Sequence, residues 1–348
     1  MKNLHIEHFE DLIFEQNGIK NVLSALPKLN KFCITTKYDG APAIVFGVDP
    51  ETKKFFVATK SVFNKVPKVC YTEKDVDKLY PDQPELCGVL KLALSSLKSL
   101  KIKNIVQGDL LFTRKDLDRK QLNGIDCVVF TPNIITYAIP YTVEPEIGIA
   151  IHTEYTGDKL TTLTGKFCSI ESNKKVWIPD MAAKLLDLPD YSHLLKYAAI
   201  KLDINTFDDC AYFKRYVNHC VKTNETSSGG GLQTFIKDKY KIEIDKLKTY
   251  CGKTKKTDRL NNTICELQKK NNEINMLFEF HSLLTLYKLQ LLRRLKDTSS
   301  VSTYHIEDGK YVNFEHEGYV IFSKNSCKFC CKLVNRLKFS KLNFIKND

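Results

Sequence analysis

The sequence predicts an α+β protein in which antiparallel sheets with flanking helices are interrupted by a helical insertion. Three observations carry that expectation. Short apolar runs rich in β-branched residues alternate with turn signals through the first half of the chain. Beyond Val176, apolar residues begin to recur at three and four positions, the helical period. Strand signals then return after Thr298.

Between Phe32 and Ser61 the runs FCITT, AIVFGV and FFVATKS read as three strands, joined by the turn KYDGAP and the polar loop DPETKK. Val106–Phe112, Asp126–Phe130, Ile134–Ile139 and Ile147–His152 are further strands, and helices are expected over Glu7–Leu26 and Pro84–Leu100. The helical region takes in MAAKLLDL, HLLKYAAIKL and Leu260–Leu295, where Leu260, Ile264, Leu267, Ile274 and Leu277 share one face. Arg293, Arg294 and Lys296 supply the cations that suit a helix C-terminus. Ser227–Gly231, SSGGG, reads as a flexible loop inside this region. At the C-terminal end, YHIEDGKYVNF carries an Asp-Gly hairpin turn, followed by EGYVIFS and CKLVNRLKF. The expected division is therefore 1–172 and 300–348 as one sheet-rich domain with 173–299 inserted, and no internal repeat is visible.

A chain of 348 residues, 43% of them hydrophobic, can bury one large core or two modest ones. No apolar run approaches the roughly 20 residues that cross a bilayer, so no membrane association is expected. The twelve cysteines are scattered and no signal-peptide pattern opens the chain, which points to a reducing cytoplasm. Cys327 and Cys330 have the spacing of half a zinc site, but no second pair completes it, and with Cys331 they read as small hydrophobes. The 53 Lys and Arg outnumber the 41 Asp and Glu, leaving +12. That excess suits a polyanionic partner, nucleic acid above all, or a solvated lysine-rich surface.

Lys37-Tyr38-Asp39-Gly40 closes a strand and opens a turn, a placement that presents a side chain to a cleft. A lysine becomes a nucleophile only after losing its proton. KYDG resembles motif I of the covalent nucleotidyltransferases, the superfamily of ATP-dependent RNA and DNA ligases and mRNA capping enzymes, in which such a lysine attacks the α-phosphate of ATP or GTP. Further stretches are similar to later motifs in the family's order. FVATKS, with Lys60, resembles the strand after motif I in phage-type RNA ligases; QGDLLF, with Asp109, resembles motif III; FTPNIITY, from Phe130 to Tyr137, resembles motif IIIa. HEGYVI, with Glu317, looks like motif IV, and KLVNR, with Lys332 and Arg336, stands where motif V places its phosphate-binding lysines. KYDGAPAIVFG, QGDLLF, GIAIHTEYTG and EGYVIF together also resemble an uncharacterised ligase-like family of large phages and other large DNA viruses.

The resemblance implies a ligase-like adenylation domain and an ATP-dependent, RNA-ligase-like polynucleotide ligase. It would seal 5′-phosphate to 3′-hydroxyl ends through a lysyl-AMP on Lys37. It implies nucleotide contacts from Asp39, Gly40, Lys60, Asp109, Tyr137, Glu317, Lys332 and Arg336, with Tyr137 or Phe130 stacking on the base. Asp109 and Glu317 would hold Mg²⁺ or Mn²⁺. RNA is the expected strand ahead of DNA, a protein partner could use the helical insertion, and a viral chain would work in host cytoplasm or a virus factory. A guanylyltransferase using GTP, another nucleotidyltransferase, and a degenerate nucleic-acid-binding scaffold are the competing functions. His152 and His316 read as structural histidines or as proton carriers.

The chain departs from the family in places. Ala41 and Pro42 stand where DNA ligases carry an arginine, Asp109 replaces the usual Glu, and Val334 occupies the place of a second motif V lysine. The few residues after motif V leave no room for a C-terminal OB-fold, so none is expected.

Overall fold

The apolar, β-branched runs of the first half form strands. The computed structural model describes residues 6–140, 145–168, 170–202, 211–247, 263–297, 301–323 and 329–339. The chain divides into two units: Thr35–Ala183 with Asp297–Tyr319, and Ile6–Ile34 with Lys184–Lys296 and the residues from Val320 onward. Of the helical insertion expected at 173–299, Lys184–Lys296 shares its unit with the N-terminal helices and the last strand, while its two ends belong to the first unit. The architecture is α+β with mainly antiparallel sheets.

Strand β1 covers Cys33–Lys37, and its alternate residues Ile34 and Thr36 are buried. In the first unit, β2 (Ala43–Val48), β3 (Phe55–Ala58), β4 (Ile105–Thr113), β8 (Ile147–Thr156) and β10 (Val176–Trp177) form a sheet in the order β10-β8-β4-β2-β3, with β9 (Thr164–Phe167) paired to β8. Both faces are covered. Ile44, Phe46, Val57, Val106 and Ile149 pack against Leu90, Ala93 and Leu97 from the helical segment that starts at Pro84. Val45, Phe56, Ile105 and Tyr155 pack with Val62, Leu160 and Leu163 on the other side. Every residue of β4 is buried except Asp109, which is half-buried.

A second sheet has the order β14-β13-β7-β6-β5, from β5 (Asp118–Leu122), β6 (Ile125–Phe130), β7 (Thr136–Pro140), β13 (Ser302–Glu307) and β14 (Lys310–Asn313). Here the Asp-Gly hairpin expected near the C-terminus pairs with β7, more than 160 residues earlier in sequence, through Ser302 opposite Ala138 and Tyr304 opposite Thr136. A third sheet takes the order β12 (Leu295–Asp297), β11 (Ala182–Leu185), β1, β15 (Gly318–Phe322), β16 (Cys330–Val334).

Three local expectations are overturned. Within MAAKLLDL, Ala182–Leu185 is a strand: the sheet's hydrogen bonds outweigh the helical propensity of Ala, Lys and Leu. The Glu7–Leu26 helix is broken into a 3₁₀ turn, Glu10–Phe14, and a helix, Gly18–Ala25, with Asn17 left-handed between them. The glycines of SSGGG open the helix Gly229–Leu247, with the Ser228 hydroxyl accepting the Gly231 amide at 3.1 Å. A Cβ on Gly231 would stand 2.0 Å from the Tyr216 hydroxyl, so glycine here serves close packing. Leu260 lies outside the described residues, as do Cys327 and the segment around it. No helix among the described residues is long and apolar enough to cross a membrane.

The second unit centres on the helix Asn271–Arg294, whose buried Ile274, Leu277, Phe278, Leu284 and Leu291 keep helical spacing. Its interior also holds an ion pair: Lys288 Nζ meets Glu10 Oε1 at 2.5 Å with each side chain 1% exposed. Beside it His281 Nε2 stands 2.9 Å from Asp11 Oδ1. Buried charges of this kind are tolerated only as a set, because removing one leaves the other desolvated and unpaired. Lys288→Met alone is expected to destabilise the protein by about 3–5 kcal/mol. Adding Glu10→Leu should restore much of that loss, a non-additivity that urea denaturation of the two single variants and the double variant would measure.

Candidate functional site

Lys37 is the last residue of β1, on the partly exposed side of a strand whose alternate residues point inward. Its Nζ meets Glu317 Oε2, the carboxylate of the residue just before β15, in a close ion pair. The two side chains are 30% and 18% exposed, so the pair sits at the edge of solvent rather than in it. Two residues 280 positions apart are thereby joined.

The neighbours of both residues are aromatic. Tyr38 and His316, next in sequence to Lys37 and Glu317, pack edge to face with centroids 5.8 Å apart. Tyr137 lies 5.2 Å from Tyr38, Phe130 stacks on Tyr137 at 5.6 Å, and Phe112 continues the series to Trp177. This row of rings fixes the backbone on which the pair is mounted, since aromatic contacts combine large buried area with preferred geometry.

The turn after Lys37 is latched to the β6–β7 connection. Asp39 Oδ1 accepts from Asn133 Nδ2 and Oδ2 accepts from the Ile134 amide, both at 2.9 Å, while the Asp39 amide donates to the Tyr137 hydroxyl at 2.7 Å. Gly40 then passes close to β4, where a Cβ would come within 2.7 Å of the Leu110 carbonyl oxygen. The Ala41 amide donates to that same oxygen at 2.9 Å. Asp39 and Gly40 thus shape the turn in this structure instead of offering free groups to a nucleotide. Tyr137 is also reassigned: at 0% exposure it has no ring face for a base, and Phe130 is buried as well. Their strands, β6 and β7, sit between sheet neighbours and the aromatic row, a setting that a local reading of FTPNIITY does not reveal.

Asp109 faces out of the otherwise buried β4, and His152 on β8 places Nε2 3.7 Å from its Oδ2. His152 is in turn bonded through Nδ1 to the Thr153 hydroxyl at 2.7 Å. Burial pushes the Asp109 carboxyl up, but His152, with the charges of Lys37 and Lys60, outweighs it and holds the group below the usual carboxylate range. Glu317 goes the other way: burial raises it, Lys37 opposes the rise, and the negative charges of Asp39 and Asp109 add to it, leaving a carboxyl more basic than usual. Lys37, Lys60, Asp109, His152 and Glu317 are therefore one electrostatic group. Among the described residues, no set of three or more His, Cys, Asp or Glu side chains converges as a metal site. His152, read from the sequence as a structural histidine or a proton carrier, joins the group because β8 sets it two residues beyond Ala150, the residue paired with Asp109.

Lys332 and Arg336 belong to the second unit. Lys332 pairs its backbone with the N-terminal segment, its carbonyl accepting from Phe9 and its amide donating to the Glu7 carbonyl at 2.9 Å. Arg336 directs Nη1 at both oxygens of Asp11, each at 3.1 Å, and also reaches Asn218. It is committed to a buried acid 325 residues away in sequence and is reassigned from phosphate binding to packing. His8 lies in the same cluster, where burial and then Arg336, Lys332 and Lys288 press its imidazole down to about 2.

The Asp39 latch generates a direct test. Asp39→Ala leaves the Ile134 amide and the Asn133 side chain without their acceptor, so it is expected to cost about 1–3 kcal/mol. Thermal unfolding would show the loss, and Asp39→Asn, which keeps one acceptor oxygen, should lose less.

Over residues 3–348 the sequence matches a family described as a family of unknown function, DUF6267. No curated protein and no solved structure matches it. With nearly its whole length covered by that match, the chain belongs to the DUF6267 family.

Proposed function

We propose that this protein is an ATP-dependent polynucleotide ligase of the RNA-ligase kind, with Lys37 as the residue that carries the nucleotide. The observation that carries the reading is the Lys37–Glu317 pair, an amine held against a carboxylate of raised basicity, with Asp109 and Lys60 in the same electrostatic group.

In this reading the Lys37 ammonium first gives a proton to Glu317 Oε2, because only the free amine has a lone pair. The amine nitrogen then attacks the α-phosphorus of ATP. An N–P bond forms, the bond from the α-phosphorus to the bridging oxygen breaks, pyrophosphate leaves with that electron pair, and the nitrogen releases its extra proton to solvent or to the departing pyrophosphate. A 5′-phosphate oxygen on the nucleic acid next displaces Lys37 from the AMP, and a 3′-hydroxyl finally displaces AMP. In this reading Lys60 attracts phosphate oxygens by charge. Asp109, with the oxygen of Glu317 that takes no proton, would hold Mg²⁺ or Mn²⁺, ions that take one or two carboxylates alongside phosphate and water. Such an ion supplies neutralisation of the triphosphate charge as the amine approaches.

The test is incubation of purified protein with Mg²⁺ or Mn²⁺ and α-labelled ATP or GTP, followed by denaturation. Acid-labile label from ATP that is absent in Lys37→Ala is the expected result; label from GTP alone would make the protein a guanylyltransferase. No label in a folded sample, whose intact mass also shows no nucleotide already attached, would leave a nucleic-acid-binding scaffold as the better account.

Glu317→Gln should slow labelling by about 10²-fold or more, the usual contribution of a positioned base. The pH profile follows from the sign of the Glu317 shift. A raised carboxyl remains protonated to higher pH than an ordinary glutamate, so wild-type labelling should decline on acidification earlier than an unperturbed glutamate predicts. In Glu317→Gln that acid limb should disappear.

A further inference from the structure

We propose that a lysine-lined groove in the first unit is a binding site for single-stranded nucleic acid. The groove has a volume of about 1040 Å³. It lies among the loop between β2 and β3, the segment leading into the helix Glu73–Leu79, the end of the helical segment that follows Pro84, and the residues just before β4.

Five exposed lysines line it, Lys53, Lys54, Lys98, Lys101 and Lys103, against one acid, Glu73. Cations gathered at this density repel one another, and a polyanion laid along them relieves that repulsion while releasing its own counterions. The walls are not purely ionic. Phe55 and Tyr71 line the same groove, half-buried, with Leu94 and Ile102 beside them. A basic rim over aromatic and apolar walls is the combination that holds single strands, whose backbone meets the cations while unpaired bases meet the rings. An isolated phosphate would need neither the length nor five lysines, and a flat lipid surface would not enter a groove.

The groove is also held in shape. Asp49, 2% exposed, accepts from the Glu51 amide and the Thr52 hydroxyl at 2.9 Å each and from the Tyr71 hydroxyl at 2.5 Å. That one carboxylate ties the loop bearing Lys53 and Lys54 to the wall bearing Tyr71. Burial raises the Asp49 carboxyl, but these three donors together hold it below the usual range, so it remains an acceptor.

This inference goes beyond the nucleotidyl-transfer reading, because binding in the groove does not require Lys37 to react. The experiment is fluorescence anisotropy of a labelled single-stranded RNA of about 12 nucleotides, a length within the usual site size, with full-length protein across a range of KCl concentrations. Changing the five groove lysines to Gln should weaken binding at least about tenfold and lower the salt slope by about 0.7 per lost phosphate contact. A control with five other exposed lysines of the same unit changed to Gln, Lys115, Lys120, Lys159, Lys174 and Lys310, should stay near wild type. Equal loss in the groove variant and the control, no loss in the groove variant, or no RNA binding by wild type at low salt would each overturn the proposal. Competition by poly-glutamate as effective as by unlabelled RNA of equal charge would overturn it too, in favour of an acidic polypeptide.

Discussion

An ammonium group drawn partly out of water needs a carboxylate opposite it, and the site is organised around that requirement at Lys37 and Glu317. Each residue stands at the end of a strand, and the two arrive from parts of the chain separated by most of its length. Their pairing therefore presupposes the long-range strand arrangement, including the return of the C-terminal hairpin to β7. It also presupposes the aromatic row, because Tyr38 and His316 hold the backbone immediately beside the two charged residues. A folded sheet without that row would leave two long side chains free to rotate, and the ordering entropy would oppose the contact.

The surrounding charges push the two carboxylates of the site in opposite directions. Asp109 sees mainly cations and remains ionised, while Glu317 is buried with other negative charges near it and becomes more basic. Two similar groups thus acquire different proton affinities from their environments, the arrangement that acid–base chemistry uses. The Asp39 latch contributes by spending its own carboxylate on the Ile134 amide and Asn133, which fixes the turn after Lys37 and adds negative charge close to Glu317.

The second unit uses charge for a different end. Lys288, Glu10, Asp11, His281 and Arg336 pair with one another in a largely buried setting, so the charge there is structural. Arg336 illustrates how a motif can mislead: KLVNR resembles a phosphate-binding segment, yet the guanidinium already grips a carboxylate with two hydrogen bonds. In the first unit five exposed lysines line the groove against a single acid, Glu73, so the surface charge there faces outward.

The sequence by itself determined the elements whose signal is local. Short apolar runs rich in β-branched residues and bounded by turn signals located β1 to β4, β6, β7, β8 and the C-terminal hairpin, because a run of that length and composition suits a strand buried on its faces whatever it pairs with. The sequence also placed Lys37 at a strand end and Glu317 before the next strand, the two positions from which the site is built. Tertiary structure alone decided that Ala182–Leu185 is a strand, that Tyr137 is sealed in the core, that Asp39 is a latch and that Arg336 is captured by Asp11. Each of these turns on which group faces a residue across a distance of about a hundred positions or more, or on a sheet that supplies hydrogen bonds, and neither is encoded in a residue's near neighbours.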